Sequence, residues 1–447
     1  MSRASHRPTH PRFASAALLC ASALACSTRA APPSSAPPGP EPIAPTLPAS
    51  TPLASTPLAA APARCDGSRP TAAAPLPALP AAPALTVPSG FVLEAIAQVP
   101  GARELAALPN GDLLVGTLGQ SVMLVPSAES EANPGAPQLF TTLLDAPLNG
   151  VAFDSKSCTI YIAAQHGLYS IPYSDAQTSA PSGERIAAVR AGPVAPHSDG
   201  DVHRTSSVAL AGGAVYMGVG SSCNACTEAD STRATVLQLS PDSTRLSLRA
   251  TRFRNAIALA QNPDTKTLWA GGAGQDSLIA GHPYEFFDPL SLRPGIADYG
   301  WPDCEENQHA YTPGADCSHT VTPLLVFPAY STLIGAAFYP TNLNGRFAFP
   351  TSQRGLYITL HGSWHVTGGS YAAAPRVVFV PMKGDAPALP VNWSDPSAQW
   401  KEFLGGMQAP DGTTRLARAT GVAVGAKGSL FVADDQGGLI FRIRPKP

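Results

Sequence analysis

The chain has 447 residues, 44% of them apolar and only 13% charged, with a formal net charge of −2. This balance excludes a basic nucleic-acid-binding stripe and an acidic solvating tail. The length admits either two or three domains or one long all-β domain.

Arg3, Arg7 and Arg12 precede a short apolar core at residues 13–25, and the small-residue run Ala23-Leu24-Ala25 ends at Cys26. Such a core is too short for a permanent membrane span, so residues 1–26 read as an export leader. Cys26 is the expected lipidation site of a bacterial lipoprotein in the periplasm or on the outer membrane, with plain secretion as the alternative. Residues 27–86 are almost entirely Ala, Pro, Ser and Thr. That composition predicts a disordered, semi-extended tether carrying a folded domain at residues 87–447.

Of eight cysteines, Cys20 leaves with the leader and Cys26 carries the lipid. Six remain, an even number in an exported chain, which favours disulfides. Local pairing gives Cys223–Cys226 and Cys304–Cys317 and leaves Cys65–Cys158. A four-cysteine zinc site competes, because CxxC is a common metal half-site.

Beyond Val87 short β-runs alternate with turn residues, and no amphipathic helix of ten residues stands out. Six turn–strand–turn–strand units recur, among them PNGDLLVGTLGQSVMLVP from Pro109 and AKGSLFVADDQGGLIFRIRP from Ala426. At about sixty residues each they suit propeller blades with enlarged loops. The insertions fall at residues 191–203, 281–317 and 362–375, which marks those loops as the functional face. Within residues 251–304 a cationic turn, Arg252-Phe253-Arg254-Asn255, precedes the strand Thr267-Leu268-Trp269-Ala270 and a turn holding Gly271, Gly272 and Gly274. Glycines there are expected to let the backbone approach a ligand.

These features sit beside LNGVAF at Leu148, DVHRTSSVAL at Asp201, GSSCNAC at Gly220, DYGWPDC at Asp298 and HGSW at His361. In that order, from Val87 to Arg444, the chain resembles the soluble quinoprotein glucose and sorbosone dehydrogenases, the sorbosone branch in particular. The resemblance implies a six-bladed β-propeller holding pyrroloquinoline quinone (PQQ) and calcium at one end of its channel. It implies oxidation of a sugar or aldose, hydride passing to the quinone, and a periplasmic electron acceptor. His203 falls where the family has its general base. Arg254 and Asn255 match the Arg-Asn pair beside the quinone oxygens, and Arg418 and His361 fall at further cofactor-facing positions. Calcium is expected on the backbone carbonyls of Gly274 and Gln275, and a second, structural calcium on Glu285 and the Tyr299 carbonyl.

The sequence departs from the branch at Ser206, at Val366 after His365, and at Thr420, where relatives carry additional cations or an Asn-Arg pair. Read from the residues alone, His203 is also a plain loop histidine or, with His197, Asp199 and Asp201, part of a metal loop, and Arg254 an inter-blade ion pair. Two rival functions follow, a non-catalytic surface propeller that has lost the cofactor and a calcium-dependent lactonase. No CxxCH occurs, so a covalent c-type haem is not encoded.

Overall fold

A computed structural model describes residues 64–130, 134–188, 203–242, 245–278 and 281–447. The leader with Cys26, the tether up to residue 63 and the loop at residues 197–201 lie outside the described residues.

Short β-branched and aromatic runs broken by Gly, Pro, Asn and Asp favour strands and tight turns over helices. Among the described residues the only helices are two single 3-10 turns, Leu290–Leu292 and Thr351–Gln353. The chain builds six antiparallel sheets of four strands, one extended by the two-residue strand Ala297–Asp298. Their innermost strands are Ala102–Ala107, Gly150–Asp154, Ser206–Ala211, Asn255–Gln261, Leu333–Phe338 and Ala419–Val424, which define blades 1 to 6. Each inner strand touches the next, and that of blade 6 returns to blade 1, closing a six-bladed ring.

The hub is narrow, so inner strands are built from small residues, as in the Asn-Ala-Ile-Ala-Leu-Ala-Gln of blade 4. A Cβ on Gly272 would lie 1.6 Å from the Asn255 carbonyl oxygen. Gly271 and Gly272 therefore serve strand packing and not, as the sequence suggested, ligand access. Both are buried inside the strand Leu268–Ala273, and neither adopts a positive φ.

The ring is closed by a strand from the front of the domain. Phe91–Gln98 pairs antiparallel with Leu439–Pro445 as the outer strand of blade 6. Phe91 is buried there, its ring 4.7 Å from Phe349 and 5.2 Å from Phe403. Opening the ring costs both the ladder and this aromatic burial.

Residues 64–86 depart from the expected tether by running along the propeller. Cys65 is bonded to Cys158 of blade 2, the Thr71 hydroxyl donates to the buried Asp112 carboxylate at 2.5 Å, and Thr86 bridges Gly405. Composition hides this, because the anchors are one cysteine, one hydroxyl and backbone. All three expected disulfides form, Cys65–Cys158, Cys223–Cys226 and Cys304–Cys317. The zinc alternative falls with them, since the thiolates it needs are consumed.

Candidate active site

In an antiparallel blade, the segment entering the inner strand and the turn between the second and third strands emerge at the same end. His203, Arg254, Thr332 and Arg418 precede inner strands, while Gly274, Asp276, His361 and His365 follow second strands. Together they line a cavity of about 550 Å³.

His203 is held by its Nδ1, which lies 3.0 Å from the Ser221 carbonyl and 2.9 Å from Ser221 Oγ. The Ser221 hydroxyl gives its own proton to the Cys223 carbonyl at 2.7 Å. Both Ser221 oxygens therefore act as acceptors, so Nδ1 carries the ring proton and Nε2 keeps its lone pair. Burial, and then the charge of Arg254, push the imidazole pKa down to about 3. The ring is neutral at ordinary pH. Gly220 makes room for it: a Cβ there would meet His203 Cβ at 2.4 Å and Asn255 Oδ1 at 2.6 Å.

Arg254 is buried with its charge paired to Asp276, Nη2 to Oδ2 at 2.9 Å. Its Nε donates to the Asn224 carbonyl at 3.0 Å and Nη2 also to Asn224 Oδ1 at 2.9 Å. Beside it, Asn255 Oδ1 is buried without any hydrogen-bond partner. An orphaned acceptor costs about 1–3 kcal/mol, which a donor or cation arriving in the cavity removes.

Glu285, on the third strand of blade 4, is buried and accepts the backbone N–H of Thr332. Burial pushes its carboxyl well above the usual range, and Glu305 behind it is pushed up to about 8 by the same cause. The turn that Glu285 grips is strained, with φ of 66° at Tyr330 and 55° at Thr332. For a β-branched threonine that conformation is sterically costly, and such strain concentrates at functional sites.

Blades 5 and 6 supply a second charged group. His361 Nδ1 accepts from Arg418 Nη2 at 2.8 Å, so its Nε2 carries the proton toward Asp435 at 3.0 Å. Asp435 also pairs with Arg103 at 2.9 Å. Burial works against that carboxylate, but the His361 hydrogen bond and the Arg103 and Arg418 charges hold it down at about 2. His361 itself is pushed down to about 4, chiefly by burial. Arg418 forms no ion pair among the described residues; its bonds go to His361 and backbone carbonyls. Arg418 thus lines the cavity near the Asp435 charge but in direct contact with no carboxylate among the described residues.

Of the residues singled out from sequence, His203, Arg254, Asn255, Gly274, Glu285, His361 and Arg418 line this one cavity. Gln275 does not; its side chain turns away to Glu305 at 2.7 Å and the Pro302 carbonyl at 2.9 Å. Tyr299 also lies elsewhere, packed between blades 3 and 4 against Phe253 and Phe286, its hydroxyl on Asp288 at 2.8 Å. The Glu285 carboxylate is engaged by the turn before blade 5.

Sequence reasoning missed Asn224, Asp276 and Asp435, and misjudged His365. Read as the loss of an anchor, His365 lines the cavity and reaches Asp276 Oδ1 with Nε2 at 3.0 Å. Its ring lies between Trp364 at 4.0 Å and Tyr330 at 4.7 Å, forming an aromatic wall. Thr420 and Ser206 do not line the cavity. Thr420 is buried with its hydroxyl on the Ala102 carbonyl, and Ser206 is buried with its carbonyl on Asn149.

A six-bladed propeller with neutral imidazoles, buried arginines and carboxylates at one mouth defines a class of fold that recurs among known proteins. Residues 299–446 match the family model described as TrAA12-like. No curated protein sequence matches the chain. Among solved structures, the iodide form of a Trichoderma reesei carbohydrate-active enzyme of family AA12 superposes with a TM-score of 0.66 at 17% identity, covering 83% of this chain and 100% of that one. The holo PQQ domain of Coprinopsis cinerea pyranose dehydrogenase gives 0.64 at 18% identity, covering 84% and 99%. The PQQ-bound aldose sugar dehydrogenase of Streptomyces coelicolor gives 0.51 at 18%, covering 81% and 100%. The six-bladed fold that the sequence resemblance implied is thus the fold these structures share.

Proposed function

We propose that this chain is an exported quinoprotein that oxidises a sugar or aldose with PQQ and calcium, with His203 as general base. The observation that carries this reading is the tautomer fixed by Ser221: a neutral imidazole presenting an unprotonated Nε2 to a cavity with a buried arginine beside it.

The residues present fit the two groups. Arg418, in direct contact with no carboxylate among the described residues, suits an anion, and Arg254 offers a second planar cation lining the same cavity. Asn255 Oδ1 lacks a donor or a cation. Gly274 lines the cavity beside Asp276 and Glu285, where oxygen ligands suit calcium. A Cβ on Gly274 would meet Pro283 Cγ at 2.8 Å, so a side chain there requires Pro283 to move. When bound, PQQ supplies the hydride acceptor and calcium the Lewis acid.

The protein's own part is proton removal and charge stabilisation. His203 Nε2 takes the proton of the sugar hydroxyl while Ser221 holds the ring by Nδ1. Arg254 stabilises negative charge developing on oxygen in the cavity, and its pairing with Asp276 fixes where that charge is felt. The aromatic wall of Trp364, His365 and Tyr330 offers an apolar face to a sugar ring.

Three disulfides support an oxidising compartment, in line with an export leader at residues 1–26 and a lipid anchor at Cys26. The reaction would also call for a periplasmic electron acceptor. Titration of the exported chain with PQQ and calcium, followed by absorbance and then by dye reduction with a panel of aldoses, tests the reading. Saturable binding with sugar-dependent dye bleaching is expected; absence of binding at micromolar PQQ overturns it.

A further inference from the structure

The CxxC turn at residues 223–226 has no place yet in the proposed chemistry, although it touches both groups assigned to it. Cys223 is fully buried and bonded to Cys226, so the turn is closed covalently at both ends. Asn224, between them, uses every polar atom that can face inward. Its Oδ1 accepts from Arg254 Nη2 at 2.9 Å and from the Asp276 amide at 2.7 Å, and its Nδ2 donates to the Asp276 carbonyl at 3.0 Å. Its carbonyl accepts from Arg254 Nε at 3.0 Å and from Trp301 Nε1 at 3.0 Å. One residue before the disulfide pair, the Ser222 hydroxyl and amide are held by Glu228, and Ser221 holds His203. The Ser221 amide in turn donates to the Arg254 carbonyl at 2.7 Å.

We propose that Asn224, presented by the Cys223–Cys226 turn, is the positioning residue that fixes the Arg254–Asp276 pair relative to His203. This inference rests on the proposed reaction for its consequence, but the positioning itself is a property of the chain. A guanidinium bonded to one asparagine through both Nε and Nη2 cannot rotate about its long stem, and the same asparagine pins the Asp276 backbone. Without the Asn224 side chain, Nη2 keeps only Asp276 Oδ2, the Asp276 backbone loses both of its ties to the turn, and the guanidinium is left on Nε and Nη1 bonds to the carbonyls of residue 224 and Ala273. The disulfide supplies what a four-residue turn cannot hold by hydrogen bonds alone, a fixed location for the Asn224 carbonyl.

The experiment compares wild type, Asn224→Ala and Asn224→Asp in the full exported chain. The first readout needs no cofactor: solvent exchange of the Arg254 Nη2 protons, which donate to Asn224 Oδ1, assigned by their loss in Arg254→Lys and followed by nitrogen-15 NMR. It is slow in wild type and accelerates about 10- to 100-fold in Asn224→Ala, the loss expected for hydrogen bonds to a charged group. Asn224→Asp keeps both acceptor bonds and retains most of the protection. The second readout is turnover of the PQQ-loaded enzyme, where kcat falls over the same range with KM for the sugar moving less. If wild type binds no PQQ, the functional reading fails while the exchange measurement still decides the positioning. Unchanged exchange in a folded Asn224→Ala variant overturns the proposal. Should that variant not fold, the pair Cys223→Ser and Cys226→Ser, which keeps Asn224 but frees its turn, gives the same accelerated exchange or refutes it.

Discussion

Replacing His203 by glutamine tests the burial of the base and its chemistry in one variant. The imidazole has an ordinary pKa of 6.5 and is pushed down to about 3 in the folded chain. A folded-state value below the unfolded one means that the unfolded chain binds the proton first. Stability from this group is therefore complete above about pH 6.5 and is lost as the pH falls toward 3. Integrated between about pH 7 and pH 5, the loss is about 2 kcal/mol for a fully buried ring. Glutamine does not titrate, so denaturant melts at the two pH values should show wild type losing about 2 kcal/mol more than His203→Gln. Taking the difference between the chains removes Glu285 and Glu305, whose raised values act in the opposite direction in both. In turnover, the same variant should lose about a hundredfold to ten-thousandfold in kcat, the range for a positioned general base. Wild-type kcat/KM should show no acid limb near 6.5. Parallel stability curves for the two chains would show that His203 titrates alike folded and unfolded, which contradicts its burial and its bond to Ser221.

Two further outcomes follow from the same contacts. Replacing Cys65 and Cys158 by serine opens a loop spanning 93 positions and should lower unfolding free energy by about 4–5 kcal/mol on the chain-entropy account, read from denaturant midpoints; a loss below about 1 kcal/mol would mean that residues 64–86 are held by their other contacts. Arg418→Ala removes a cavity cation that makes no direct ion pair among the described residues, so it should weaken PQQ binding about tenfold or more in an absorbance titration while leaving Tm within a few degrees, and unchanged affinity would assign Arg418 to supporting His361 alone.

The limits of the sequence are seen in which strands and which contacts it exposes. The middle hairpin of a blade is legible where a tight turn, such as Leu118-Gly119-Gln120 between Leu113–Thr117 and Ser121–Val125, joins β-runs adjacent in sequence. The closing strand Phe91–Gln98 is not, since its partner Leu439–Pro445 lies at the far end of the chain and no local signal declares a pairing at that distance. The site divides the same way. His203, Arg254 and His361 lie at strand entrances or exits, where a motif and its place in a blade coincide. Asp276, Asn224 and Asp435 read as ordinary polar loop residues until folding brings Asn224 to Asp276 across 52 positions and His361 to Asp435 across 74. Tyr299 and Trp301 show the converse: a strong local motif that ends up bracing other residues, Tyr299 on Asp288 and Trp301 on the Asn224 carbonyl. The chemistry is therefore shared between residues whose type announces them and partners whose position alone gives them a role. A substitution at Asp276 or Asn224 should for that reason disturb the site as much as one at Arg254, because a buried guanidinium without its partners has no fixed direction in which to act.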